Sequence, residues 1–396
     1  MGRLISADAR AIGVSGDLFL SRSLQMRVCT PEESRTQTEI KILHVGPDLI
    51  SKGGIASVLS GYASSEGLFK SLGCDFYFQS TCGRPGAARL WQFVFTWWRI
   101  VIGALLKKND IVHLHTSIRG SLLRKSVLAA TCVFLHQRFV IHIHSGAMAR
   151  YLERLPAPCR RAIGFIWKRA SCLVCLSGDM RQYLTQQCEC DSSKCTVIHN
   201  GILNPSVSDT SRALPNCSPV ILFLGKLIEE KGVRVLLDAA ERLKGRGVSY
   251  RLLVGGNGDV DSFLGDVRGR GLSDNVTFLG WVAGEQKSKL LGAADVFVLP
   301  SRSEGFPVSI VEAMAFGAAI VSTNIPGVIE AVTHEREALL VPPDNASALA
   351  DALSILISDR ALRMQLAAAA KQRFLEHFTI ERTADALANA YDRVMQ

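Results

Sequence analysis

The sequence predicts an α/β protein built as two Rossmann-like domains that face each other across a cleft. Three observations lead there. Short apolar, strand-like runs alternate with helical runs along all but the first residues of the 396-residue chain, a length that suits two or three domains. Such βα alternation produces parallel sheets with helices on both faces. A stretch rich in Gly, Pro, Asn and Ser, from Gly201-Ile202-Leu203-Asn204-Pro205 to Pro215-Asn216-Cys217-Ser218-Pro219, divides the series in two and reads as a linker.

In order, the first half is expected to hold strands at 40–45, 74–78, 111–115, 139–144, 172–176 and 196–199. The second half is expected to hold strands at 220–224, 250–254, 276–279, 295–299, 319–322 and 338–341. The division follows as 39–203 for the first domain, 204–219 for the linker, 220–375 for the second domain and 376–396 for a terminal helix. Residues 1–38 are polar, lack an apolar core and read as a disordered extension without a signal peptide; Met26 could begin a shorter chain.

Hydrophobic residues at 48% and charged residues at 20% describe a globular chain rather than a disordered one. A net charge of +9 suits an anionic partner, and the absence of an RNA-binding motif or long Lys/Arg block favours phosphates and an anionic membrane surface over nucleic acid. Eleven cysteines include Cys172 and Cys175, which alternation places on opposite faces of one strand. Cys188, Cys190 and Cys195 lie close in sequence, but no His or second pair completes a zinc set, so reduced thiols of a cytoplasmic chain are expected. The aromatic stretch from Trp91 to Leu106 is too short for a membrane span and is interrupted by Arg99. It reads as a helix packed on the sheet, or as an interfacial helix with Trp91, Phe95, Trp97, Trp98 and Ile102 at the headgroup level and Arg89, Lys107 and Lys108 at its edges.

The densest chemical signal is Glu304-Gly305-Phe306-Pro307-Val308 running to Glu312, between the strand ending at Leu299 and a helix stopped by Gly317. Glu304 falls in the strand-to-helix loop and Glu312 one to two turns into the helix. The loop directs free N–H groups, and the positive end of the helix dipole, above the sheet edge, where a phosphate fits. The two carboxylates beside it can accept hydrogen bonds from hydroxyls. Lys226 follows the first strand of the second domain, and Lys231 precedes a helix with Val233, Leu236, Leu237, Ala240 and Leu243 on one face. Both lysines can reach the point where ligands bind in open α/β sheets, and two cations there neutralise a diphosphate. Leu253-Val254-Gly255-Gly256-Asn257-Gly258 is a glycine-rich turn, and Asp259-Val260-Asp261 after it is read as loop sequence rather than a metal site.

In the first half, Gly53-Gly54 follows a strand without forming G-x-G-x-x-G, which argues against a dinucleotide-binding oxidoreductase. His142 and His144 share one face of their strand, with His144 nearer the cleft; His113 and His115 form a similar pair that reads as structural or acceptor-side. His199-Asn200-Gly201 reads as a turn with no assigned chemistry.

Glu304-x7-Glu312 followed by Ala313-Met314-Ala315, with Lys226, Lys231, Gly53-Gly54 and His144 in matching order, resembles the retaining glycosyltransferases of family 4, which have the GT-B fold. The resemblance covers roughly residues 40 to 396 and points toward bacterial polysaccharide-assembly enzymes. It implies transfer of a hexose-type sugar from a nucleoside diphosphate sugar to an acceptor hydroxyl, without metal or cofactor. Glu312 is then expected on the ribose and Glu304 on donor-sugar hydroxyls. Lys226, Lys231 and the N–H groups of Gly305, Phe306, Pro307 and Val308 are expected on the diphosphate, Gly53 and Gly54 beside the donor phosphates and acceptor, and His144 near the transferred sugar. The family usually has Arg where Lys226 stands, which exchanges a bidentate fork for a point charge. His199-Asn200-Gly201-Ile202 is similar to the family's turn closing the first domain but lacks its final Asp. The terminal helix is expected to cross back to the first domain. A lipid-linked glycan at the inner membrane face is the expected acceptor, with a soluble acceptor still open. A non-catalytic GT-B binding subunit and a nucleotide-sugar epimerase are the alternatives.

Overall fold

A computed structural model describes residues 39–82, 86–205 and 218–396. The expected extension over residues 1–38 and most of the linker lie outside the described residues. The first half runs β1 (Ile40–Gly46), α1 (Gly54–Ser64), α2 (Glu66–Ser71), β2 (Cys74–Ser80), α3 (Ala87–Leu105), β3 (Ile111–Thr116), α4 (Gly120–Phe134) and β4 (Phe139–Ile143). It continues with α5 (Met148–Glu153), α6 (Ala157–Trp167), β5 (Cys172–Cys175), α7 (Gly178–Gln186) and β6 (Cys195–Val197). The second half runs β7 (Val220–Leu224), α8 (Val233–Gly245), β8 (Arg251–Gly255), α9 (Val260–Gly269), β9 (Val276–Gly280), α10 (Gly284–Ala293), β10 (Val296–Leu299) and α11 (Val308–Phe316). It ends with β11 (Ala319–Thr323), α12 (Pro326–Ile329), β12 (Ala338–Val341), α13 (Ala346–Ser358), α14 (Arg360–His377) and α15 (Ile380–Met395).

The strands form two six-stranded sheets, ordered β2-β1-β3-β4-β5-β6 and β12-β11-β10-β7-β8-β9. Every strand pairing is parallel. This is the GT-B architecture. Central strands such as β3, β4 and β7 are buried along their whole length, as expected when helices cover both faces. Cys172 belongs to the core on one face of the first sheet and Cys175 to the core on the other, as alternation requires.

Strand order reverses between β1 and β3 in the first sheet and between β7 and β10 in the second. Such switch points open a crevice at the carboxyl ends of the strands, because the flanking helices lie on opposite faces. Gly46, Thr116, Leu224 and Leu299 end the four strands concerned.

The halves are joined by more than the linker. Ile202 pairs with Thr379 as a parallel bridge, with Ile202 N–H donating to the Phe378 carbonyl at 3.1 Å and Ile380 N–H to the Ile202 carbonyl at 2.9 Å. Gly201 fits there because a methyl on it would lie 2.2 Å from the Thr379 carbonyl oxygen. Beyond this crossing, Ile380, Ala384, Leu387 and Tyr391 of α15 pack with Ile42, Val140 and Val174 of the first sheet.

Helix α3 divides its aromatic residues. Phe93, Trp97 and Ile100 face the core, and the Trp97 indole N–H donates to Thr131 at 2.9 Å. Trp91, Phe95, Trp98, Ile102 and Leu105 point outward. The expectation that Trp97 and Trp98 share one face is therefore corrected: neighbouring helical residues are about 100° apart, while steps of three and four return to one face.

Lys125 on α4 is buried, and its ammonium donates to Thr81 Oγ1 at 2.5 Å. Burial lowers its pKa from 10.5 to about 7. The unfolded chain therefore holds a proton that the folded chain lacks between those values. Wild-type stability should rise with pH across that window, by up to about 5 kcal/mol. Denaturant titrations should show Lys125→Met gaining on the wild type most at pH 6 and least near pH 10. A gap independent of pH would show that the ammonium is not desolvated.

Candidate functional site

In the second half the site begins with a glycine. Gly232 takes φ +68, and a methyl on it would lie 1.9 Å from the Pro300 carbonyl oxygen. Only glycine satisfies both demands. This draws the short 3-10 turn Glu229–Lys231 against the loop that follows β10. Arg302 fastens the two: its N–H donates to the Glu230 carbonyl at 2.9 Å, and its guanidinium bonds Glu229 at 2.5 Å and Asp344 at 2.6 Å. Lys231 consequently forms an ion pair with Glu304 Oε1. Ser301 Oγ donates to the same oxygen at 2.6 Å. The Lys231 and Glu304 side chains are 25% and 10% exposed, so the pair is sheltered but reachable from the cleft.

Beyond Glu304 the chain turns into α11, whose N-terminus has no side-chain cap. Uncapped N–H groups there favour an anion. One expectation needs correction. Pro307 has no N–H and cannot donate. Phe306 buries its ring between His199, at 4.7 Å between centroids, and Phe378, at 5.3 Å, so only its backbone faces the site. Glu312 lies in the second turn of α11, paired with Lys287 of α10 at 2.5 Å. Lys226 is exposed at the end of β7. Its loop is locked to the glycine-rich turn: Gly225 N–H donates to the Gly255 carbonyl at 3.0 Å, and a methyl on Gly256 would lie 1.8 Å from the Gly225 carbonyl oxygen. Asp259 caps α9, accepting from Ser262 N–H at 3.3 Å.

In the first half, Gly53 takes φ +151 at the start of α1, and among the described residues no atom lies near the position of a side chain on it or on Gly54. The backbone there is open to a ligand. Lys52 beside them lies 5.7 Å from the Trp281 ring of the other half, a cation–π contact across the cleft. His144 stands one residue beyond β4 rather than within it, because its N–H still bonds the Thr116 carbonyl but the strand has ended at Ile143. Its Nε2 lies 2.9 Å from His115 Nδ1, and His115 Nε2 lies 2.9 Å from His44 Nδ1. Burial lowers the His144 and His44 imidazoles to about 3. His115 is held well below the ordinary value by burial first and by its neighbouring imidazoles second. The row is neutral at neutral pH, so His144 offers a hydrogen bond and no positive charge.

The halves meet at this point. A methyl on Gly146 would lie 2.0 Å from the Glu304 carbonyl oxygen, and one on Gly305 would lie 2.8 Å from the His144 carbonyl oxygen. His144, Glu304, Gly305 and Lys231 therefore converge, although 160 residues (304 − 144) separate the first two in sequence. Lys287 and Arg302 had no sequence signal, since their partners are distant in the chain. Ser301 had one: Ser three residues before Glu is a local hydrogen-bonding pattern.

Two Rossmann-like sheets facing across a cleft, with lysines, carboxylates and an uncapped helix at the switch points, define a GT-B glycosyltransferase. Sequence models of two families match, "Glycosyltransferase Family 4" over residues 42–202 and "Glycosyl transferases group 1" over residues 208–373. The chain belongs to glycosyltransferase family 4. An uncharacterized glycosyltransferase of Methanocaldococcus jannaschii is 27% identical over 308 residues, 73% of this chain and 76% of that protein. The N,N'-diacetylbacillosaminyl-diphospho-undecaprenol alpha-1,3-N-acetylgalactosaminyltransferase of Campylobacter jejuni is 34% identical over 183 residues, 45% of this chain and 46% of that protein. The fold matches Anabaena HepE in complex with UDP and glucose, with a TM-score of 0.69 and 18% identity over 89% of this chain and 99% of that one.

Gly146→Ala should force the His144 and Glu304 loops apart and lower transfer about 100-fold, the scale of an ångström-sized misplacement. The check is a steady-state assay beside a thermal melt. Unchanged activity in a folded variant would mean that this contact does not set the site geometry.

Proposed function

We propose that this glycosyltransferase moves a hexose-type sugar, with retention of configuration, from a nucleoside diphosphate sugar to an acceptor hydroxyl. The observation that carries the reading is the Lys231–Glu304 pair beside the uncapped start of α11, pressed against the His144 loop. Lys231 and Lys226 would face the diphosphate, with N–H groups of Gly305, Phe306 and Val308 beside them. Both bonds on the Glu304 carboxylate end on Oε1, which leaves Oε2 to accept from sugar hydroxyls. Glu312, oriented by Lys287, would hold the ribose hydroxyls. Neutral His144 would orient the sugar by a hydrogen bond. In front-face transfer the bond from the anomeric carbon to the phosphate oxygen breaks as the bond to the acceptor oxygen forms. The acceptor proton passes to the departing phosphate. The complex of HepE with UDP and glucose supports a nucleotide-sugar donor by likeness of fold.

A lipid-linked acceptor at the inner face of the cytoplasmic membrane fits the outward row of α3, and the name of the Campylobacter relative carries a diphospho-undecaprenol-linked acceptor. Trp98, Phe95 and Tyr77 line a groove of about 630 Å³ together with Arg99, Lys107 and Lys108. Aromatic rings beside cations suit an anionic headgroup region. Among the described residues no helix is long and apolar enough to cross a membrane, so binding would be peripheral.

Nucleoside diphosphate release, measured over a panel of donors with a lipid diphosphate acceptor, tests the activity, and the anomeric configuration of the product tests retention. No release with any donor would sink the reading. Lys231→Ala should lower turnover by about two or more orders of magnitude, with a smaller change in donor binding. Wild-type turnover would remove Lys231 from its assigned role, while Lys226→Arg should be tolerated. The Asp259→Ala, Asp261→Ala double variant should stay active, and a chelator should not abolish transfer. Chelator inactivation rescued by magnesium would overturn metal-free transfer. Trp98→Ser should weaken pelleting with anionic vesicles and leave the melting temperature unchanged, whereas Trp97→Ser should lower that temperature through loss of core packing. Equal pelleting of wild type and Trp98→Ser would exclude this face.

A further inference from the structure

Five imidazoles share one face of the first sheet. Register pairs His44 with His113 across β1 and β3, and His115 with His142 across β3 and β4. Period-two alternation adds His144 to the same side. The rings stack through the sheet, with centroids 4.4 Å apart for His113 and His115 and 4.1 Å apart for His142 and His144. Five of the nine histidines in the chain are gathered in this layer. Nearly all buried polar atoms in folded proteins find a partner, yet among the described residues both ring nitrogens of His142 have none, and neither do His44 Nε2 and His113 Nε2. His142 is fully buried. A hydrophobic residue would fill its place without leaving two polar atoms unpaired.

We propose that His115, His142 and His144 form a transition-metal site, of the class that takes Zn²⁺ or Co²⁺, and that filling it blocks sugar transfer. One nitrogen of each ring falls within 4.8 Å of the others. His115 Nδ1 and His144 Nε2 are 2.9 Å apart. Two nitrogens on a tetrahedral zinc lie roughly 3.3 Å apart, from bonds of about 2.0–2.1 Å. Small ring rotations therefore suffice. No imidazole has to lose a proton. His115 can carry its hydrogen on Nε2 and donate it to His44 Nδ1, which turns Nδ1 to the metal; His144 carries its own on Nδ1. The bond from His115 to His44 then acts as the outer-shell contact that fixes the tautomer of a ligating histidine. The set is all nitrogen and borderline-soft, so it favours Zn²⁺ and Co²⁺ over Mg²⁺ or Ca²⁺. His144 is only partly buried at the cleft, which gives the ion its entry and leaves a fourth position for water or an anion. The second triad, His44, His113 and His115, is wholly buried and already spends His113 Nδ1 on the Tyr391 hydroxyl at 2.6 Å.

The inhibitory half of the inference rests on the role given to His144 above. His144 Nδ1 keeps its hydrogen, but the ring must turn to hold the ion and the ion's fourth ligand fills the cleft beside it, so an occupied site and a positioned donor exclude each other. This is consistent with transfer that needs no metal.

The test uses untagged full-length protein. Co²⁺ titration should give visible absorption of a tetrahedral or five-coordinate centre saturating at one equivalent. Zn²⁺ should displace it and should inhibit transfer at least tenfold, with a chelator restoring activity. His142 lies outside the proposed donor machinery, so His142→Leu and the near-isosteric His142→Asn should keep basal transfer while losing both the absorption and the inhibition. A thermal melt confirms folding of each. Absence of one-equivalent binding, or binding unchanged in both His142 variants, overturns the site. Stoichiometric binding without inhibition overturns its effect on transfer. The Co²⁺ spectrum is read without substrate, so it stands apart from failure of the donor assay.

Discussion

The contact between Gly146 and the Glu304 carbonyl sets the geometry on which the cleft depends. Two backbones from different halves approach so closely that neither glycine there, Gly146 or Gly305, has room for a methyl group. His144 and Glu304 are carried on these two loops. His144 lies two residues before Gly146, and Glu304 immediately precedes Gly305. A backbone contact serves better than a side-chain contact for this purpose, because it has no rotamers and transmits the position of each sheet directly to the site. The same device recurs nearby, where Gly232 meets Pro300 and Gly256 meets Gly225.

Charge is distributed unevenly between the halves. The second half presents two ion pairs, Lys231–Glu304 and Lys287–Glu312, each partly sheltered. Such pairs contribute little to stability on their own, since desolvation offsets much of their attraction. Their consequence is positional: each carboxylate has one oxygen fixed by a cation. The first half presents neutral imidazoles instead, held so by burial. Around the contact of the two loops, ion-paired carboxylates of the second half thus face neutral imidazoles of the first.

Alternation at 2.0 and 3.6 residues made the fold legible in the sequence. All twelve strands stand within two residues of the expected limits, because each follows a short apolar or alternating run of strand length. Glu304, Lys231 and Gly317 were placeable for the same reason, as they sit at strand-to-helix junctions or a helix stop where local rules act. The α3 error was also local: an aromatic run read as one face ignores the turn between Trp97 and Trp98.

The sequence by itself determined the two βα series, the loops that carry the chemistry and the residue types in them. Tertiary structure alone decided which loops meet. Lys287 finding Glu312, Arg302 binding Glu229 and Asp344, and five histidines from three strands forming one layer are set by strand order and parallel register. Periodicity fixes which face a residue takes; it carries no information on which strand lies beside it, because that depends on the crossover connections and on the total packing of the sheets.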